Sequence, residues 1–444
     1  MLPVLNGDII DQILLHLTDP DPLTGEYKSH GLRYLYPCIF VNREWCGLAM
    51  RILWQQPFNF EPLRAAKAME TYLKCLNYQE KVELSENGID IDLLFQNRIG
   101  FYDDEEEVNN NFTNRNRMAL DFITNSSEKP MFNYPKFLRR LYYENMYKSA
   151  EYICKYLSDL TRGDEEEEFC NVKEEELNEL SEDDEIEEEE EGEVEEVEDF
   201  TIQAEVLVKS VLQLSQRKGA RLNGLIFSPD SPYNDFEKYQ LLENYSDMME
   251  DVKSLDICCL FRKTYLFSII GRMCHQVKHL HIHTFWSRHP DERHIDRTGE
   301  VIREMLSSQR KLESFHLESC KAYTRIFFPL LSLHNSSLRH IRFDQVDFRG
   351  CGEWKSVSEC RNLELLEIIQ CSNIDVEMVR PLISNNMLEK DFEVKYIWVN
   401  QSCKEFEEWV DKVHGIRDNL KLPNEYQKWG EASGSNNRIC KRNI

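Results

Sequence analysis

The chain has 444 residues, 41% of them hydrophobic and 11% aromatic, which is enough for two or three domains with sizeable buried cores. Most of its formal net charge of −27 lies in residues 164–199, where 23 carboxylates and one lysine give −22 and leave −5 for the other 408 residues. Because neither part is strongly basic, this pattern argues against nucleic acid as the main ligand.

The 14 cysteines are scattered, without a paired framework or zinc-type spacing, as is typical of reduced thiols in a cytosolic or nuclear protein. Asp8 and Asp11 stand where a signal peptide has a basic and then apolar start. No run of about 20 apolar residues predicts a membrane span. We therefore expect a cytoplasmic or nuclear protein that does not enter a membrane.

Two amphipathic helices are predicted near the amino terminus. The first has Asn6 in position to cap it and ends at the "TDPDP" that starts at Thr18. Its apolar residues recur at steps of one, three and four: Ile9, Ile10, Ile13, Leu14 and Leu17. The second starts near Asn42 and is closed by Pro57. Its apolar residues also follow helical spacing: Trp45, Leu48, Ala49, Ile52 and Leu53.

Residues 59–130 are interpreted as a linker of helices and loops. Within it, residues 63–76 have a helical pattern, whereas residues 102–116, "YDDEEEVNNNFTNRN", are polar and predict a loop.

Beyond the linker, one apolar pattern recurs at steps of 25 to 35 residues. Its six copies are Leu222-Leu225-Phe227, Val252-Leu255-Ile257, Val277-Leu280-Ile282, Leu312-Phe315-Leu317, Leu338-Ile341-Phe343 and Leu363-Leu366-Ile368. Outlying copies start at Leu138 (with Leu141 and Tyr143) and at Val394 (with Ile397 and Val399). One copy is a weak signal, but six in succession indicate an internal array.

An array of this period consists of short strands, each followed by a return segment, and the copies must stack to bury their apolar faces. The pattern is that of leucine-rich repeats, with Cys320 and Cys371 at its Asn/Cys position and amphipathic helices such as "EVIREMLSS" as returns. The predicted fold class is α/β: a short all-α module over residues 1–58, then a leucine-rich-repeat solenoid of parallel strands with helical return segments over residues 131–400. A helical cap and tail follow at 401–444, and an α/β fold without repeats is the alternative.

The acidic run at 164–199 falls in the long gap between the strands predicted at Leu138 and Leu222. Such composition is typical of a solvated, disordered insertion on a loop, although the run could also steer basic partners.

The amino-terminal residues resemble the F-box motif. The resemblance rests on "LP" at Leu2-Pro3, on "DIIDQILLHL" and on "FVNREWCGLAMRILWQQP". With "KFLRRLYYENMY" and the degenerate repeats, the chain is similar to the large F-box/leucine-rich-repeat families of certain fungi. The resemblance implies binding to a Skp-type adaptor and, through it, to a cullin-RING ubiquitin ligase. Pro37, inside the region of the motif's middle helix, and the long insertion "LTGEYKSHG" depart from the pattern.

A module of about 58 residues buries too little surface to be stable alone, so other surfaces must complete it. Residues assigned to adaptor binding are Leu2, Pro3, Ile9, Ile13, Leu14, Leu17 and Trp54. Residues assigned to the module's own core are Trp45, Leu48 and Ile52. The alternative is that these helices only cap the repeats.

Six of the 12 histidines cluster between His275 and His294. Period-two alternation places a polar set on the concave face, opposite the apolar strand residues. These residues, assigned to substrate binding, are Asp256, His279, His281, His283, His316, Arg342 and Glu367; His340 lies on the same face. Aligning the repeats places Ile226, Asp256, His281, His316, Arg342 and Glu367 in one row. A zinc site, a solvated face without a role and a ligand-recognition patch all stay open; we favour the patch and assign no metal site.

No phosphate loop, GxSxG or HExxH motif is present, so we expect neither a catalytic site nor a cofactor. The sequence thus predicts the substrate-recognition subunit of a Skp-cullin-F-box ubiquitin ligase, whose repeats bind an unknown protein substrate. A scaffold or regulatory binder that uses the repeats without a ligase is the alternative.

Overall fold

The computed structural model describes residues 7–18, 32, 34–96, 130–162, 200–227, 239–259, 264–284, 292–320, 323–384, 393–397, 400–402 and 408. Several predictions lie outside these residues: the contacts of Leu2 and Pro3, the cap at Asn6, the insertion at 164–199 and most of the carboxyl-terminal cap. The chain divides into two compact units. The first comprises Met1–Asp19, Lys28–Leu138 and Tyr142–Ala220, and the second comprises Pro20–Tyr27, Arg139–Leu141 and Arg221–Ile444.

The first unit is built from helices. They are α1 (Gly7–Thr18), α2 (Leu35–Ile39), α3 (Arg43–Leu53), α4 (Pro62–Leu73), α5 (Tyr78–Glu86), α6 (Ile91–Gln96), a 3₁₀ turn (Tyr134–Phe137), α7 (Tyr143–Arg162) and α8 (Thr201–Arg217). Both predicted amino-terminal helices and the one predicted at 63–76 are therefore present.

Helices α1, α2 and α3 contact one another and form a small three-helix module. Asn42 caps α3 as the sequence predicts, its side-chain oxygen accepting from the backbone amides of Glu44 and Trp45 over 2.9 and 3.0 Å. Helix α2 has only five residues, with Pro37 at its third position. Proline is tolerated there because an N–H in the first helical turn has no partner within the helix.

Hydrogen bonds and an ion pair from side chains of α7 and α8 hold the rest of the first unit together. Asn145 donates to the carbonyl oxygens of Phe58 and Phe60, each over 3.2 Å, and the Ser149 hydroxyl donates to the carbonyl of Pro62. On α8, Arg217 forms an ion pair with Glu80, which also closes the capping box of α5. These bonds join segments 85 to 137 residues apart in sequence, so the fold of this unit depends on distant contacts.

The second unit contains an eight-stranded sheet in the order β1-β2-β3-β4-β5-β6-β7-β9. The strands are β1 (Arg140–Tyr142), β2 (Gly224–Phe227), β3 (Ser254–Cys259), β4 (His279–Thr284), β5 (Ser314–Glu318), β6 (His340–Asp344), β7 (Leu365–Ile369) and β9 (Glu393–Ile397). Each pairing from β2 to β9 is parallel. A second sheet pairs β8 (Ser372–Ile374) with β10 (Asn400–Ser402).

Return segments between the strands are helical. They are a 3₁₀ turn (Leu241–Tyr245) with α9 (Ser246–Met249), then α10 (Thr264–Met273), α11 (Glu292–Ser308), α12 (Thr324–Leu330) with a 3₁₀ turn (Leu331–His334), α13 (Lys355–Ser358) and α14 (Val376–Ser384). The predicted α/β class, with parallel strands and helical returns, is therefore confirmed.

The six apolar copies predict the strands and their inward residues correctly. All 18 of their residues are at most 3% exposed, and equivalent residues pair across the sheet, as Leu255 does with Leu280. The outlying copy at Val394 is also a strand, but its predicted register is wrong: Val394, and not Ile397, pairs with Leu366. At the observed register the first position of the pattern falls on Asp391, which is not apolar, so the template selects the wrong offset for this strand.

A tight turn repeats where strands β5, β6 and β7 end. The residues that follow them, Ser319, Gln345 and Gln370, have φ values of 52°, 53° and 50°. Their spacing matches the apolar copies, and Ser319 and Gln345 donate backbone hydrogen bonds to the next strand over 2.8 Å. Three non-glycine residues in the left-handed region at one repeat position show that the copies share a backbone path as well as a pattern.

Aromatic side chains fill the core between strands and return helices in the later repeats. Phe343 of β6 lies between Phe328 and Trp354, at ring-centroid distances of 5.7 and 6.1 Å, and Phe348 lies 4.8 Å from Trp354. The ten cysteines whose side chains the structure describes are all free thiols. Among the described helices, none combines the length and the apolar character that crossing a membrane requires.

Candidate functional site

One row of residues crosses the second unit on the face opposite the apolar core. Neighbouring strands pair Ile226 with Asp256, Asp256 with His281, His281 with His316, His316 with Arg342, and Arg342 with Glu367. This predicted register is confirmed in full, and we call these six residues the central row. The alternation that produces it is visible on β4, where His279, His281 and His283 are half-buried and the residues between them are buried.

Two carboxylates that the sequence analysis did not assign complete this surface. Glu318 and Asp344 lie in the adjacent row, where Glu318 pairs with His283 on one side and with Asp344 on the other. Each lies two residues after a member of the central row, so period-two alternation along the strand could have predicted that both side chains lie on this face. The residues that the sequence assigns to substrate binding therefore lie together on this face. His279 and His340 lie in the row on the other side of the central row, where each pairs with Ser314.

His281 is held between two carboxylates. Its Nδ1 lies 3.0 Å from Asp256 Oδ2, and its Nε2 lies 3.0 Å from Glu318 Oε2. Burial lowers the pKa of His281, but the hydrogen bonds to Asp256 and Glu318 outweigh burial and raise the pKa to about 9. At neutral pH the imidazole therefore carries both protons and donates to both carboxylates. The hydrogen bond from His281 also lowers the pKa of Glu318.

His316 lies beside His281 but is in the opposite state. The two rings stack with centroids 4.0 Å apart and planes 4° apart. Burial, together with the charges on His281 and Arg342, lowers the pKa of His316 to about 2, so its imidazole is neutral. Its Nε2 is buried, has no hydrogen-bond partner and lies 4.0 Å from Glu318 Oε2. A charged imidazole that donates to Glu318 therefore lies beside a neutral imidazole that does not.

Arg342 continues the charged network along the sheet. Its Nη2 donates to Asp344 Oδ2 over 2.7 Å, and its Nη1 lies 3.9 Å from Glu367 Oε2. Each cation of the network thus lies between two carboxylates: His281 between Asp256 and Glu318, and Arg342 between Asp344 and Glu367. This arrangement provides hydrogen-bond donors and acceptors in a fixed pattern, which suits the recognition of a polar ligand.

Three of these side chains have the composition of a metal-binding set. One ligand atom each from His281, His316 and Glu318 lies within 4.8 Å of the other two. Their side chains are 22 to 28% exposed.

The second candidate surface lies on α1 in the first unit. Ile9, Ile13 and Leu17 are 49%, 36% and 38% exposed and recur every four residues, which places them on one side of the helix. We call these three residues the apolar stripe. Beyond α1, Phe40 and Val41 between α2 and α3 are also exposed.

Two residues assigned to adaptor binding are instead buried. Leu14 is fully buried, and Trp54 is 9% exposed, with its ring 4.3 Å from that of Tyr134 and 5.9 Å from that of Tyr72. Neither residue lies on an exposed surface: Leu14 is buried with α1, and Tyr134 and Tyr72, which are distant in sequence, lie against Trp54.

Of the residues assigned to the module's own core, Ile52 is 1% exposed. Trp45 and Leu48 are half-buried. Ile52 therefore packs in the interior of the module, while the other two lie at its edge.

Comparisons of the chain with protein-family models, with curated proteins and with solved structures find no match.

Proposed function

We propose that this chain is the substrate-recognition subunit of a Skp-cullin-F-box ubiquitin ligase. In this proposal the α1–α3 module docks a Skp-type adaptor, and the central row with its neighbours binds a protein substrate. Catalysis of ubiquitin transfer belongs to other subunits of the ligase, in the cytoplasm or nucleus. The observation that carries the proposal is the apolar stripe, which stays exposed on a module whose sequence resembles the F-box motif.

The physical basis of adaptor docking is the division of α1 into two sides. Ile10 and Leu14 are buried within the module, whereas the apolar stripe faces solvent. Burying one isoleucine or leucine side chain contributes about 1.5–3 kcal/mol, so covering all three would contribute substantially to binding. Exposed apolar patches of this kind mark interaction surfaces.

Support for substrate binding comes from the polar face of the sheet. Charged side chains there are partly desolvated and fixed by one another, as in the bridge of His281 between Asp256 and Glu318. A partner that offers complementary donors and acceptors meets a rigid pattern and loses little conformational entropy on binding.

Adaptor binding is tested by Ile13→Asp in the full chain, co-purified with a Skp-type adaptor. Ile202→Asp is the matched control, because Ile202 is a 73% exposed apolar residue on α8 of the same unit. We expect Ile13→Asp to weaken adaptor binding by at least about tenfold, from the loss of one buried side chain, and the control to bind normally. Equal recovery of adaptor by both variants would refute docking through the apolar stripe.

A scaffold that binds ligands without a ligase is the second candidate. Its support is the five-residue α2 with Pro37 inside it, since a middle helix this short offers little surface to an adaptor. The two candidates differ in cell extract: only the ligase subunit co-purifies with both adaptor and cullin.

A further inference from the structure

We propose that His281, His316 and Glu318 form a binding site for one divalent transition-metal ion, with zinc as the expected ion. Two imidazole nitrogens and a carboxylate oxygen are a set that zinc accepts, with the fourth position left to water or a ligand. The site lies on the central row and its neighbour, but the inference does not rest on the ligase function and is tested without any partner.

The spacing of the ligand atoms suits a tetrahedral ion. Zinc bonds of 2.0–2.1 Å to nitrogen and oxygen place tetrahedral ligand atoms about 3.4 Å apart. In the structure, Glu318 Oε2 lies 3.0 Å from His281 Nε2 and 4.0 Å from His316 Nε2. These two distances fall on either side of the required value, so a shift of about half an ångström corrects each of them, and the histidine ligand atoms lie within 4.8 Å of each other.

The strongest local sign is the state of His316 Nε2. This nitrogen is buried and has no hydrogen-bond partner. A buried polar atom left without a partner costs about 1–3 kcal/mol. A metal ion bound to Glu318 would give this nitrogen a partner, because His316 Nε2 already lies near that carboxylate.

A second carboxylate is positioned as an outer-shell group. Asp256 Oδ2 lies 3.0 Å from Nδ1 of His281, while Nε2 of the same ring points to Glu318. Metal-binding histidines usually donate their other ring N–H to a carboxylate, which fixes the tautomer and the orientation of the ring. The ion would take the place of the proton that His281 otherwise donates to Glu318, and that proton would be released to solvent.

Two features of the site oppose binding and can be weighed. The two rings lie in nearly parallel planes, so the His316 ring must turn about its Cβ–Cγ bond to point at an ion that lies between His281 and Glu318. This torsion has a broad energy profile in histidine, and the turn is therefore inexpensive. The Arg342 guanidinium beside His316 repels a cation, but Asp344 and Glu367 lie against that guanidinium and offset its charge.

The test is a zinc titration of the chelator-treated full chain by calorimetry, with cobalt as a spectroscopic probe. We expect one zinc ion per chain, and a cobalt spectrum with visible bands of a nitrogen and oxygen site but no thiolate charge-transfer band. His316→Ala and Glu318→Gln should each weaken zinc binding by more than the ~10–100-fold typical of losing an outer-shell group. Asp256→Asn should weaken it within that range. His340→Ala is the matched control, since His340 lies on the same face outside the three ligands, and it should bind normally.

The acidic run at 164–199 is present in every variant, so weak binding there does not distinguish them. Circular dichroism confirms that each variant is folded, and Glu318→Gln, which keeps an oxygen near His281, remains informative if His316→Ala does not fold. Failure to bind one zinc ion, unchanged affinity in the ligand variants, or a thiolate band would each overturn the proposal.

Discussion

Replacing Trp54 by alanine should destabilise the first unit by about 3–5 kcal/mol, the usual cost of removing a buried tryptophan. The indole is 9% exposed and lies 4.3 Å from the ring of Tyr134 and 5.9 Å from that of Tyr72. Each aromatic pair adds about 0.5–1.5 kcal/mol beyond area burial, so the loss belongs near the upper end of that range. Since whole domains are stable by only about 5–15 kcal/mol, this single change should lower the unfolding midpoint of the unit clearly.

The assay is urea unfolding of the full chain followed by circular dichroism, with Trp54→Phe and Ile13→Ala as companions. Trp54→Phe keeps a ring in the same place and should lose less stability than Trp54→Ala. Ile13→Ala changes an exposed residue and should stay within about 0.5 kcal/mol of the unsubstituted chain. Because the two units can unfold separately, the transitions are fitted as more than one step.

Adaptor binding then separates the two roles. Trp54→Phe should retain adaptor while folded, whereas Ile13→Ala should lose affinity at nearly full stability. If Trp54→Ala kept its stability within about 0.5 kcal/mol and nevertheless lost the adaptor, our placement of Trp54 in the interior would be refuted.

Three further predictions concern packing, thiols and the acidic run. Gly271→Ala should destabilise the second unit by about 1–3 kcal/mol, because the new Cβ would lie 3.2 Å from the Met305 Cα. Gly47→Ala, whose new Cβ would lie in open space on α3, should stabilise the first unit by up to about 1 kcal/mol. The unfolding midpoints of the two variants test both expectations. Burial raises the pKa of the Cys274 thiol to about 12. The stability that the buried, protonated thiol contributes is therefore complete below the ordinary thiol pKa of about 8.5 and falls as the pH rises above that value. Mass spectrometry should find Cys274 unalkylated in the folded protein at pH 8. Deleting residues 164–199 should leave the melting temperature unchanged, since a run of 23 carboxylates and one lysine cannot bury a core; a large drop would contradict this.

Most of the second unit could be predicted from the sequence, because its apolar pattern is periodic. Residues such as Leu255 and Leu280 repeat with their strands, so aligning the copies predicts both which side chains face inward and which residues pair. The same alignment predicts that His281 pairs with His316, as it does in the sheet. Where periodicity weakens, as at Val394, the strand was still predicted but its register was not.

Contacts between residues distant in sequence could not be predicted from the sequence pattern. Trp54 is covered by Tyr134, which lies 80 residues later, and no spacing rule links the two. The role of Glu318 depends on a diagonal approach to His281 on the neighbouring strand, which follows from side-chain direction and not from register. The left-handed turn at Gln345 was also hidden, because the usual signal for such a turn is glycine.

The two candidate surfaces share one physical property: each contains groups that the described part of the chain leaves exposed or without a partner. The apolar stripe leaves Ile9, Ile13 and Leu17 in water, where burial elsewhere would have stabilised the protein. On the sheet, charged groups around His281 are partly desolvated, and His316 Nε2 has no hydrogen-bond partner, although apolar residues would pack there at lower cost. Each arrangement is explained when something outside the chain completes it, an adaptor in the first unit and an ion or a polar ligand in the second. Because the surfaces belong to different units, a substitution that removes one interaction should leave the other intact, so each proposal can fail without the other.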